Sequence, residues 1–300
     1  MNRILNTDLN TNIDIIIPVK ERYLLLLNAL KSIEHQTMLP NKVFIIDDYS
    51  NEKIDNFKDY PFELILIRNE KNKGPSFNCN LGALRSKAKY ISILETDDLW
   101  LPTKLEKQFK IAEKNNLDFT YCNYFLGEKK NTQKFTSYNN EILNLLLNQW
   151  SCPNPSTFFL NRVSFLKLGG FDEQMFGSHD YDFWIRIANS NLKIGFSNDY
   201  LVRIEKYNSN QMSREYKSRI DSINFFITKH KKMIINHKGK VYFKKYSKEL
   251  MSRALIPVLK KTIKDKKIFN TLNLLKYFVF SRLFYKRMFG YLVKKYKYNK

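Results

Sequence analysis

The first two hundred residues alternate short β-branched runs with amphipathic helical patterns, an order that few architectures accept. Residues 13–18, 42–46, 63–68, 90–94 and 119–124 read as strands, and residues 23–36, 77–86 and 101–115 as helices with an apolar face. The expected fold class is α/β, a mostly parallel sheet flanked by helices. In such sheets ligands bind beyond the carboxyl ends of the strands.

Two groups of acids fall at those ends. Asp47 and Asp48 follow the second run, and Glu95, Asp97 and Asp98 follow the fourth. Carboxylates desolvated together repel one another, so three in four residues are tolerated mainly where a cation or sugar hydroxyls take up the charge. The competing readings are local: an Asx-turn into Tyr49, Ser50 and Asn51 for the first pair, and a solvated turn before a helix for the second group.

Charge divides the chain in two. Arg203 to Lys300 carries 27 Lys and Arg against 5 Asp and Glu, whereas the residues before it carry 24 of each. The predicted boundary follows that step, with residues 1–203 forming the α/β domain and residues 204–300 a basic, aromatic-rich helical extension. So segregated a charge suits an anionic partner. Residues 271–300 interleave aromatics with Lys and Arg as a helix lying in a membrane interface does, or else as one packed back on the domain. Residues 1–12 lack the apolar run of a signal peptide, and no stretch reaches the length of a spanning helix. Cys79, Cys122 and Cys152 form neither a metal pattern nor a disulfide framework. The expected location is cytoplasmic, peripheral on the inner face of the membrane.

Five segments in order carry a resemblance. They are Ile15-Ile16-Ile17-Pro18-Val19; Ile45-Ile46-Asp47-Asp48-Tyr49-Ser50; the stretch from Asn69 to Asn80 with Gly74-Pro75; Glu95-Thr96-Asp97-Asp98; and Gly169-Gly170-Phe171-Asp172 with Ser178-His179-Asp180-Tyr181-Asp182. Together they resemble the inverting family 2 glycosyltransferases, enzymes of Rossmann-like GT-A fold that use nucleotide-sugars. The resemblance covers about residues 13–204.

That resemblance implies roles residue by residue. Asp97 corresponds to the family's metal-binding acid, with Mn2+ or Mg2+ as cofactor. Asp98 follows it on the donor side, and Glu95 stands where the family usually has Asp. Asp48 corresponds to the acid that receives the base N–H of the nucleotide, with Asp47 partly structural; an acceptor-only carboxylate there suits a uracil-type imide. Pro18 and Val19 lie beside the base pocket, although Lys20 replaces the usual aromatic. Arg68, Lys73 and Gly74, at a Gly-Pro helix start, are candidates for the diphosphate. Asp180 corresponds to the general base, with Asp182 as alternative; His179, where Glu is common, and Asp182 are acceptor-side candidates. A helix cap is the structural reading of Asp180.

The implied activity is metal-dependent, inverting transfer of a sugar from a nucleotide-sugar donor, expected to be UDP-linked, to a hydroxyl of a glycan or lipid-linked glycan in surface polysaccharide synthesis. Two rivals belong to other classes. A basic nucleic-acid-binding protein would carry a groove-reading motif, which is not found, so no nucleic-acid partner is expected. A catalytically silent nucleotide-sugar or glycan-binding module is prompted by Glu95 and by Cys79, which stands where many relatives have Arg.

Overall fold

The computed structural model describes residues 12–55, 57–131, 139–149, 152–175, 177–205 and 216–264. The described residues fall into two compact units, one spanning Met1–Glu173 and His179–Tyr207, the other Gln174–Ser178 and Asn208–Lys300.

The first unit is built on β1 (Ile13–Val19), which pairs in parallel with β2 (Lys42–Asp47) on one side and β4 (Tyr90–Ile93) on the other. Strand β3 (Glu63–Arg68) extends the parallel set beyond β2. Ile13, Ile15, Ile16 and Ile17 are wholly buried, because helices cover both faces. Leu26, Ala29, Leu30 and Ile33 of α1 (Tyr23–Glu34) join Ile15 and Ile17 in one core. On the opposite face Gly82 of α2 (Pro75–Arg85) lies so close to Ile16 that a Cβ there would stand 2.5 Å from its Cγ2.

Beyond β4 the pairing is mixed. The order across the sheet is β3-β2-β1-β4-β8-β6-β9-β5, with β7 (Lys129–Asn131) on β6. Strand β6 (Phe119–Leu126) runs parallel to β9 (Ile194–Ile204), whereas β8 (Phe159–Asn161) is antiparallel to β4 and β6, and β5 (Asp98–Trp100) to β9. Most of the paired length is parallel, so the α/β expectation holds. Helix α3 (Lys104–Asn115) starts later than predicted, since Leu101 and Pro102 make backbone bonds to Leu201 and Thr37 instead. Helices α4 (Asn139–Gln149), α5 (Arg162–Lys167) and α6 (His179–Ala188) complete the unit.

The second unit contains α7 (Tyr216–Lys238) and α8 (Lys240–Lys264), which pack together through the turn at Gly239, where φ is +87°. Ile220, Ile223, Phe226, His230 and Ile234 are buried at helical spacing, while Lys229, Lys231, Lys232, Lys244 and Lys245 are exposed. The interfacial helix expected over residues 271–300 lies outside the described residues. Among the described residues no helix is long and apolar enough to cross a membrane.

Candidate functional site

The carboxyl ends of β1, β2 and β4 form one edge of the sheet. Val19 pairs with Asp47 and Ile16 with Ile93, while Asp48 N–H donates to Val19 O and Leu94 N–H to Ile16 O. Asp47 is buried there and tied on both oxygens. Its Oδ1 accepts from Ser50 N–H at 3.0 Å and Ser50 Oγ at 2.6 Å, and its Oδ2 pairs with Arg68 at 3.0 Å. Arg68 also donates to Ser50 O, so this expected diphosphate cation secures the β2 loop. Asp48 is buried as well. Its Oδ1 accepts from Asn69 Nδ2 and Lys73 N–H, and its Oδ2 from Gly74 N–H at 2.9 Å. A carboxylate offers about four acceptor positions, so one remains, on Oδ2. Gly74 opens α2 at φ +84°, a conformation that favours glycine. Pro18 and Val19 end β1 beside this pair, and Tyr49, at φ +63°, exposes its ring close to the Arg68 guanidinium.

At the end of β4 the chain turns sharply, with Asp98 N–H donating to Glu95 O, before β5 begins. Carboxylate oxygens of Glu95, Asp97 and Asp98 lie within 4.8 Å of one another. Three hard oxygen donors at this separation suit Mg2+ or Mn2+. The segment around Pro155 supports the turn from below. Asn154 Nδ2 donates to Glu95 Oε2 at 2.9 Å, Ser156 Oγ accepts from Glu95 N–H and donates to Asp98 Oδ2 at 2.6 Å, and Ser156 O accepts from Trp100 Nε1. Burial, reinforced by Asp97, pushes the Glu95 carboxyl up to about 7. Burial and the Glu95 charge likewise hold Asp98 well above the usual carboxylate range. Asp97 is partly exposed and pairs with Arg22 at 2.7 Å.

Helix α6 carries Asp180 in its first turn, with its Oδ1 accepting from Tyr181 N–H. Its Oδ2 accepts from the Cys152 thiol at 3.3 Å. Burial first, then the Asp180 charge, raises the Cys152 thiol well above its normal range, so it remains a donor. After burial and Asp97, the Asp180 charge also adds to the repulsion on Glu95. Asp182 is fully buried and bound to Arg186 at 2.9 Å, while Arg186 donates to Leu168 O and Gly170 O. That carboxylate anchors α6. His179 stands edge-on to Phe171 with its Nδ1 buried and without a hydrogen-bond partner among the described residues, and burial lowers its basicity. Phe183, Trp184 and Ile187 are buried, as the helical pattern implies. Cys79 is buried near Glu95, which with burial raises its thiol.

Arg22, Cys152, Asn154 and Ser156 escape a reading of the sequence. Only the Asn154-Pro155 pair carries a local signal, that of a turn.

Residues 14–170 match the sequence profile of Glycosyl transferase family 2. An uncharacterised glycosyltransferase of Methanocaldococcus jannaschii is 32% identical over 238 residues, covering 74% of this chain and 79% of that protein. The Escherichia coli UDP-Glc:alpha-D-GlcNAc-diphosphoundecaprenol beta-1,3-glucosyltransferase is 26% identical over 209 residues, covering 66% of this chain and 80% of that protein. Several other relatives are matched over only 30% to 61% of their length. Among solved structures, a mannosyltransferase of Pyrobaculum calidifontis in complex with GDP-Man and Mn2+ is similar in fold, with a TM-score of 0.54 at 16% identity, covering 94% of this chain and 86% of that one.

Proposed function

This chain belongs to glycosyl transferase family 2, and from that membership we propose that it moves a sugar from a UDP-linked donor to a hydroxyl of a glycan or lipid-linked glycan, with inversion and with a divalent cation. The observation that supports the reading is the cluster of Glu95, Asp97 and Asp98 together with Asp180, 82 positions or more from each in sequence, whose charge reaches Glu95. Glu95, Asp97 and Asp98 would hold the cation, with Asp97 its main ligand; when bound it neutralises charge on the diphosphate leaving group.

Asp180 acts as general base. The acceptor oxygen forms a bond to the anomeric carbon from the face opposite the diphosphate, and its proton passes to Asp180. The bond from the anomeric carbon to the diphosphate oxygen breaks, and the nucleoside diphosphate leaves with the electron pair. The thiol of Cys152, donating to Oδ2, steadies the Asp180 carboxylate. Asp48, with one acceptor position left, receives the imide N–H of the base, and Tyr49 offers a ring face where Lys20 offers none.

A lipid-linked acceptor is supported by the E. coli relative, whose name specifies a diphosphoundecaprenol acceptor. The basic second unit suits the anionic surface where such acceptors reside, each Lys or Arg there being worth about 1 kcal/mol. Surface polysaccharide synthesis on the inner face of the membrane is the role that fits both. A donor screen with Mn2+ or Mg2+, following nucleotide release with and without membrane lipid extract, tests the reading. Release from a UDP-sugar that rises with the extract supports it; binding without release would favour a silent binding module.

A further inference from the structure

Arg22 has no role in the function described above, yet its Nη1 holds Asp97 Oδ2 at 2.7 Å, on a half-buried carboxylate of the acid cluster. The contact is built into the backbone. Arg22 directly precedes α1, and its carbonyl accepts from Leu26 N–H, the first bond of that helix. The residue before it, Glu21, takes φ +54°, a backbone conformation that residues other than glycine rarely adopt. Two bonds hold Glu21 there: its N–H donates to Ser50 Oγ at 3.0 Å, and its carboxylate accepts from Asn51 N–H at 2.7 Å. Ser50 is in turn bound to Asp47, and Asp47 to Arg68. A continuous set of bonds thus runs from the end of β2 to the guanidinium on Asp97.

A guanidinium and a divalent cation on one carboxylate repel each other at short range, and Arg22 already takes one of the acceptor positions that Asp97 offers. We propose that Arg22 is a positioning residue that competes with the cation for Asp97 and is handed over to the donor's diphosphate when cation and nucleotide arrive together. The proposal rests on the reading of Asp97 as a cation ligand. It makes two opposite demands on one side chain. Without nucleotide, Arg22 opposes the cation and keeps its affinity low. With a nucleoside diphosphate bound, the freed guanidinium lies beside an anion that it can grip with two parallel N–H groups. The site then takes up cation and donor jointly and resists the cation alone.

The test is a titration of Mn2+ into the full chain, read by the paramagnetic signal of free Mn2+, first without nucleotide and then with UDP. Arg22→Ala and Arg22→Gln are compared with the unaltered protein, and thermal melting establishes that each is folded. Both variants are expected to bind Mn2+ alone about fivefold tighter or more, and UDP at saturating Mn2+ about fivefold weaker or more. A purely structural arginine would not give tighter metal binding on removal. Mn2+ affinity unchanged or weakened in both variants would overturn the proposal. Asp97→Asn separates the underlying reading: if it leaves Mn2+ binding intact, Asp97 is not a cation ligand and both ideas fall. If Mn2+ binding depends on Asp97 and ignores Arg22, only the competition is refuted.

Discussion

The charges of Asp97 and Asp180 both act on Glu95, but the proposed function gives the two acids different duties, and substitution separates them. Asp180→Asn keeps an oxygen for the Cys152 thiol but cannot take a proton, so turnover should fall by roughly 10² to 10⁴ while Mn2+-dependent UDP binding persists. Asp97→Asn should lose that binding, as calorimetry with and without Mn2+ would register. Cys152→Ser retains a donor to Asp180 and should keep more of kcat than Cys152→Ala, with donor KM alike in the two. The acids were legible in the sequence because clustered carboxylates at strand ends are rare without a partner. Their supports were not: Arg22 lies 75 residues from Asp97, and Asn154 lies 59 from Glu95. Such pairings come from the fold, and nothing local marks them. Asp48 shows the converse, since its type was readable but its hold on the Lys73–Gly74 backbone was not.

Among the elements, α2 and α3 are the ones that fix the site's floor. Gly82 lets α2 approach β1, and Gly82→Ala sets two effects against each other. Helix propensity would gain up to about 1 kcal/mol, but a methyl 2.5 Å from Ile16 Cγ2, in a wholly buried β-branched residue, should cost about 1–3 kcal/mol. A net fall in Tm, read by calorimetry, is expected. In α3, Lys104 is fully buried, donating to Ser92 Oγ and Phe158 O with its ammonium 4.0 Å from the Trp100 ring centre. Burial lowers it from 10.5 to about 7. Between those values the unfolded chain binds a proton that the folded one has released, so stability should rise with pH through that window, by an amount on the order of a few kcal/mol. Lys104→Met should flatten the rise in urea midpoints measured from pH 7 to 10. The long strands and helices of the first half were legible from periodicity. Strands β5 and β8, of three residues each, are too short to show a period, and the register of β9 against β6 shifts at Asn198-Asp199, which have no partners across that pairing.

For the whole molecule, the step in charge was readable in the sequence, while the packing of α7 on α8 needed the structure. If the basic unit meets a membrane, the full chain should co-sediment with vesicles rich in anionic lipid, release with rising salt, and ignore neutral vesicles. The most direct measurement is nucleotide release from UDP-sugars, with Mn2+ and a membrane lipid extract, by the unaltered chain and by Asp180→Asn. The account predicts release that the substitution lowers by roughly 10² or more at retained UDP binding. Undiminished release by Asp180→Asn would contradict it.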